Sequence, residues 1–91
     1  MIICTFKDEE RRLARHAIKA CNKAYNCDLS LVPGEGDRSE TVWNVVGDDM
    51  LVTPAAGARY SAYVTAYVEG MEKALERIAL HLSESLAGAI L

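Results

Sequence analysis

Residues 28–53, "DLSLVPGEGDRSETVWNVVGDDMLVT", interrupt the periodicity of the chain and decide its fold class. On either side, apolar residues recur every three to four positions, as a helix requires. Within the stretch the period changes. "DLSLV" alternates and stops at "PGEGD", "TVWNVV" is rich in β-formers, "GDD" has turn composition, and "MLVT" resumes an extended pattern. The spacing predicts three short antiparallel strands, with a loop over 33–39 and a tight turn over 47–49.

On the N-terminal side, "TFKDEERR" reads as a helix start. Thr5 suits the N-cap, Asp8 sits at the third helical position, and Glu9 and Glu10 suit the positive end of the helix dipole. A helix over 6–25 follows, with Asn26 as its stop. Phe6, Leu13, Ala17, Ala20, Cys21, Ala24 and Tyr25 fall on one side of it. Alanines at 14, 17, 20 and 24 keep that face thin, so a second element can come close. Residues 1–4 form a short extra strand or an ordered tail.

On the C-terminal side, Thr53 is an N-cap and Pro54 fits the first helical position. The helical pattern runs to about Leu86, with Gly88 as the stop. Its apolar arc holds Tyr60, Tyr63, Val64, Tyr67, Val68, Met71, Ala74, Leu75, Ile78, Leu82 and Leu86, opposite Glu69, Glu72, Lys73 and Glu76. Gly57 and Gly70 are positions where it could bend. At ~1.5 Å per residue, this helix is longer than so small a domain needs. The expected architecture is a single α+β domain over 1–91: a helix, a three-stranded antiparallel sheet and a long C-terminal helix, with room for a short N-terminal strand.

Charge is segregated. Residues 1–23 carry +3 and residues 24–91 carry −6, within a net charge of −3. Arg12, Arg15, Lys19 and Lys23 lie within an arc of ~80° on the first helix, away from its apolar face. Such a stripe is a solvated face, a site for an acidic protein surface, or a site for phosphates. It can also face the acidic residues of the long helix, in the same chain or a second copy.

The order helix–strands–helix is similar to that of the double-stranded-RNA-binding domain in topology. That family sets a lysine-rich start of its last helix on the phosphates. The matching stretch here, "TPAAGARYSA", has one arginine and no lysine. RNA binding is therefore not expected.

Three of the four tyrosines fall in "ARYSAYVTAYV", residues 58–68. A base-stacking platform places exposed rings beside cations, and only Arg59 is near. The rings share their face with Val64, Val68 and Met71, so packing in a core or an interface is the expected role.

No motif for chemistry stands out. "PGEGDRSE" lacks the Lys-Ser/Thr ending of a phosphate loop. Asp48 and Asp49 read as turn residues rather than cation ligands. Cys4, Cys21 and Cys27 are odd in number and lack zinc-site spacing with His16, so free thiols and no structural metal are expected. His81 reads as a packing residue, and Ser30 and Ser39 have no base nearby in sequence. No apolar run approaches the ~20 residues of a bilayer span, and "MIIC" is followed at once by charges, so a cytoplasmic location is expected.

The leading functional expectation is a non-enzymatic interaction module without cofactor, acting as a homodimeric regulator or inhibitor of another protein. An inhibitor of a host system encoded by a phage or mobile element is one instance. Arg12, Arg15, Lys19, Lys23 and Trp43 are the candidate partner-binding residues. Met71, Leu75, Ile78, Leu82 and Leu86 are the candidate dimer interface. A nucleic-acid-binding regulator using the same basic stripe is the second reading. A small enzyme with a site shared between subunits is the third.

Overall fold

The computed structural model describes residues 1–34 and 41–90, with side chains to residue 80. The chain opens with strand β1 (Ile2–Lys7) and a 3-10 turn (Asp8–Glu10), then helix α1 (Arg11–Tyr25). Strands β2 (Ser30–Gly34) and β3 (Val42–Val46) follow, and helix α2 (Pro54–Ile90) ends it. The three strands form one antiparallel sheet in the order β1-β3-β2. The α+β class expected from the sequence is the class observed.

The identity of the third strand differs from the sequence reading. Residues 50–53 are not a strand. Asp48 Oδ1 accepts from the Met50 amide at 2.8 Å, and the Asp48 carbonyl accepts from Leu51 and Val52 at 3.0 and 2.9 Å. This side-chain turn carries the chain from β3 into α2. The third strand is instead the N-terminal one. Thr5 and Phe6 do not begin a helix; they pair with Asn44 and Trp43. The Thr5 hydroxyl donates to Asn44 Oδ1 at 2.8 Å rather than capping a helix. Long-range pairing with β3 overrides the local cap signal, and "IICTF" is rich enough in β-formers to accept it. The helical start moves to Asp8, and Glu10 Oε1 accepts the Lys7 amide at 3.2 Å.

Other local signals hold. Asn26 ends α1 in the left-handed region, at φ 53° and ψ 47°. The Thr53 hydroxyl oxygen accepts the Ala56 amide at 3.1 Å, with Pro54 first in α2. Pro33 and Gly34 belong to β2, while the rest of the expected loop, 35–39, lies outside the described residues.

Both helices pack on one face of the sheet. In-register Cys4, Val45 and Leu31 look toward them, with Phe6 beside. Ala14, Ala17, Ile18 and Cys21 of α1 and Val64 and Val68 of α2 complete the core with Leu29. The expected thin alanine face is therefore only half right. Ala14 and Ala17 are buried, whereas Ala24 and Tyr25 at the end of α1 are exposed. α2 runs on through Gly57, which is buried beside Met1 and Val52, where an added Cβ would make ordinary contact with both.

α2 outruns the domain it packs on. Among its described side chains, Val68 is the last that is buried; Met71 and Glu72 are half-buried, and every residue from 73 to 80 is exposed. The molecule is accordingly elongated, 61 × 35 × 15 Å. Leu75, Ile78 and Leu80 are 54, 57 and 62% exposed. The helix continues past Gly88 to Ile90.

Candidate interaction surface

α1 buries Ala14, Ala17, Ile18 and Cys21. Geometry then turns the positions between them outward. Arg12, Arg15, Lys19 and Asn22 follow one another at three- and four-residue spacing and share a side of the helix. β2 is an edge of the sheet and lies next to that side. Arg12, Arg15, His16, Ile18, Lys19 and Asn22 line one wall of a groove of about 570 Å³. Leu29, Ser30 and Leu31, at the start of the edge strand, line the other.

The groove is strongly basic. Among the described residues, no carboxylate lies within ion-pairing distance of Arg12, Arg15 or Lys19. All three are exposed, so their charges are available to an incoming group. Lys23, the fourth member of the stripe, does not line the groove.

Asn22 closes one end. Its Oδ1 accepts the Leu29 amide at 2.8 Å, and its Nδ2 donates to the Leu29 carbonyl at 3.1 Å. Oδ1 also accepts from the Cys27 thiol at 3.3 Å. Sequence reasoning passed over Asn22. The available signal is an asparagine, a weak helix former, on the same stripe as three cations.

Trp43 lies elsewhere. Its ring is half-buried, and its indole N–H donates to Asp8 Oδ1 at 2.7 Å. The Arg11 guanidinium sits 5.3 Å from the ring centroid. These contacts tie β3 to the start of α1, so the structure gives Trp43 a packing role and does not bring it to the basic groove.

The tyrosines form one cluster where the end of α1 meets α2. Tyr25 lies 5.4 Å from Tyr60 and 5.6 Å from Tyr63 between ring centroids, and Tyr63 lies 6.3 Å from Tyr67. Tyr60 and Tyr63 are half-buried, while Tyr25 and Tyr67 are exposed. Tyr25 packs across the helices on Tyr60 and Tyr63 in tilted and edge-on geometries, while Tyr63 and Tyr67 stack along α2.

The three cysteines are free. Burial pushes the Cys21 thiol up to about 12, and its neighbour Cys27 acts in the same direction. Burial also raises Cys4, against a hydrogen bond with Ser61. Thiols held in the neutral form are poor nucleophiles. On α2, Glu72 meets Glu10, and their shared hydrogen bond raises the Glu72 pKa. That contact is strongest at acid pH and weakens as pH rises through the carboxylate range.

Among the described residues, no group of three or more His, Cys, Asp or Glu side chains is placed to hold a metal ion. No described helix is long and apolar enough to cross a membrane. Of the candidate dimer residues, Met71 is half-buried and Leu75 and Ile78 are exposed. The side chains of Leu82 and Leu86, like that of His81, lie outside the described residues. No family model matches the sequence, and no curated protein or solved structure matches it either.

Proposed function

We propose that this chain is a non-enzymatic interaction module whose basic groove receives an acidic segment of another protein, which it regulates or inhibits. The observation that carries this reading is the convergence of Arg12, Arg15 and Lys19 on one groove with no described carboxylate to neutralise them. Arginine can hold a carboxylate through two parallel hydrogen bonds, which suits Arg12 and Arg15 as anchors. Exposed ion pairs contribute only ~0.2–1 kcal/mol each, so the cations steer and select, and contacts along the groove floor supply the remaining affinity.

Reversing both charges, Arg12→Glu with Arg15→Glu, tests this reading. Both side chains are exposed, so the variant should keep its fold by circular dichroism. Binding to a glutamate-rich peptide should weaken about tenfold or more, and its salt dependence should shrink. Unchanged affinity removes the stripe from the interface. The same cations suit phosphates, so a single-stranded oligonucleotide is measured in parallel. Sub-micromolar oligonucleotide binding at physiological salt would transfer the groove to nucleic acid, the second reading.

The reading includes a homodimer through the far half of α2. Its support is the apolar stripe of Met71, Leu75 and Ile78, which runs on where the chain's own domain stops covering it. A two-fold pairing of this stripe is self-complementary, and in the sequence Leu82 and Leu86 continue its spacing. Light scattering at micromolar concentration should give the dimer mass, and Leu75→Glu with Ile78→Glu should halve it. A monomer mass for the unaltered chain across that range would refute the dimer.

A further inference from the structure

The groove is more than a patch of charge, because one of its walls is a sheet edge with one hydrogen-bonding position already filled. Asn22 gives the Leu29 backbone both an acceptor and a donor. That is the pair of bonds a residue on a neighbouring strand would make. A side-chain amide thus stands in for the first residue of an absent fourth strand.

In an extended chain, the N–H and C=O of one residue point to the same side, and successive residues alternate. Leu29 turns its groups toward Asn22 and away from β3. Ser30, Val32 and Gly34 then turn theirs toward Val46, Asn44 and Val42, their partners on β3. Leu31 and Pro33 turn theirs to the free side. Proline agrees with this phase, since it has no N–H to donate and is tolerated where the strand faces outward. Among the described residues this edge is unpaired, and it therefore offers the Leu31 N–H and C=O and the Pro33 C=O, directly after the position that Asn22 occupies.

We propose that the acidic segment binds in extended form as a fourth strand on the free edge of β2, with its backbone paired to Leu31 and its carboxylates on Arg12, Arg15 and Lys19. This rests on the reading of the groove as a site for an acidic protein. Charge selects the occupant: the stripe overhangs the edge on the side where every other side chain of an added strand would project. Backbone pairing supplies affinity that exposed ion pairs lack. Asn22 sets the register, because a segment cannot slide past the amide that fills the Leu29 position. Pro33 limits the ladder at the far end, which keeps the edge short and guards it against general strand pairing.

The test uses the full chain, labelled with ¹⁵N, and an alternating Glu-Val peptide of about ten residues, the upper length of common strands. Two further versions of the peptide carry N-methyl groups on alternate residues, one on the odd set and one on the even set. Only one set of amides can face β2, so one version should bind at least tenfold more weakly and the other within about twofold of the parent. Exchange of the Leu31 amide with solvent should slow by about tenfold or more on binding of the parent peptide.

Equal affinity of the two methylated versions, or unchanged Leu31 exchange, overturns strand addition. If the parent peptide still binds in that case and Arg12→Glu with Arg15→Glu still weakens it, the acidic-partner reading survives. Absence of any peptide binding at millimolar concentration overturns both. Tight, salt-sensitive binding of a single-stranded oligonucleotide without peptide binding overturns both in favour of phosphates.

Discussion

Asn22→Ala should lower the unfolding free energy by about 2–4 kcal/mol, the largest loss expected from removing any single polar side chain here. The side chain makes three contacts, accepting from Leu29 N–H and the Cys27 thiol and donating to Leu29 C=O. Leu29 is buried at 3% exposure, so its freed amide and carbonyl are poorly placed to recover water. Each unsatisfied backbone group costs roughly 1–3 kcal/mol. For a domain of this size, that corresponds to a fall in Tm of about 10–25 °C. Asn22→Asp keeps the acceptor and loses the donor, so it should fall between the two. Urea denaturation of the three proteins decides it. A loss below about 0.5 kcal/mol for Asn22→Ala would show that the Leu29 groups find other partners, and Asn22 would then not be standing in for a strand.

Asn22 also marks the boundary of what the sequence could reveal. Features that depend on a few adjacent residues were legible. Thr53 and Pro54 begin α2 as their chemistry dictates, and Asn26 stops α1 in the left-handed conformation that asparagine tolerates. The basic stripe was legible because helical periodicity alone puts Arg12, Arg15 and Lys19 together. Features set by pairing across the chain were not. Thr5 could cap a helix or join a strand, and the choice rests on Asn44, 39 residues away. Leu31 matters only because β3 takes the centre of the sheet and leaves β2 at an edge. Nothing local in "DLSLV" encodes that order. Tryptophan composition alone left Trp43 open between a binding anchor and a core residue of the sheet; its contacts, Asp8 in the 3-10 turn and Arg11 at the start of α1, depend on where the chain leaves β1, which local cap signals misplaced.

The close approach of α1 to α2 was legible in the alanines, and it carries the second large effect. Ala17→Leu should destabilise the fold by about 1–3 kcal/mol, and Ala14→Leu with Ala17→Leu by more than either alone. Ala14 and Ala17 are 0% exposed, as are Val64 and Val68 of the facing helix. Such an interface has no void to take three added carbons, because interiors are packed as densely as organic crystals. The added side chain must push the helices apart or leave its preferred rotamer. If α2 moves, its start moves with it, and buried Gly57 draws away from Met1 and Val52. A volume-compensating partner separates crowding from any loss of helix propensity, since leucine is a good helix former. Ala17→Leu combined with Val68→Ala, or with Val64→Ala if the leucine points to that turn, should recover part of the loss. Neighbouring sites couple by about 0.5–3 kcal/mol, so the recovery is measurable as non-additivity in urea denaturation. Ala17→Leu alone leaving stability unchanged would mean that the two helices stand further apart than the burial of these four residues requires.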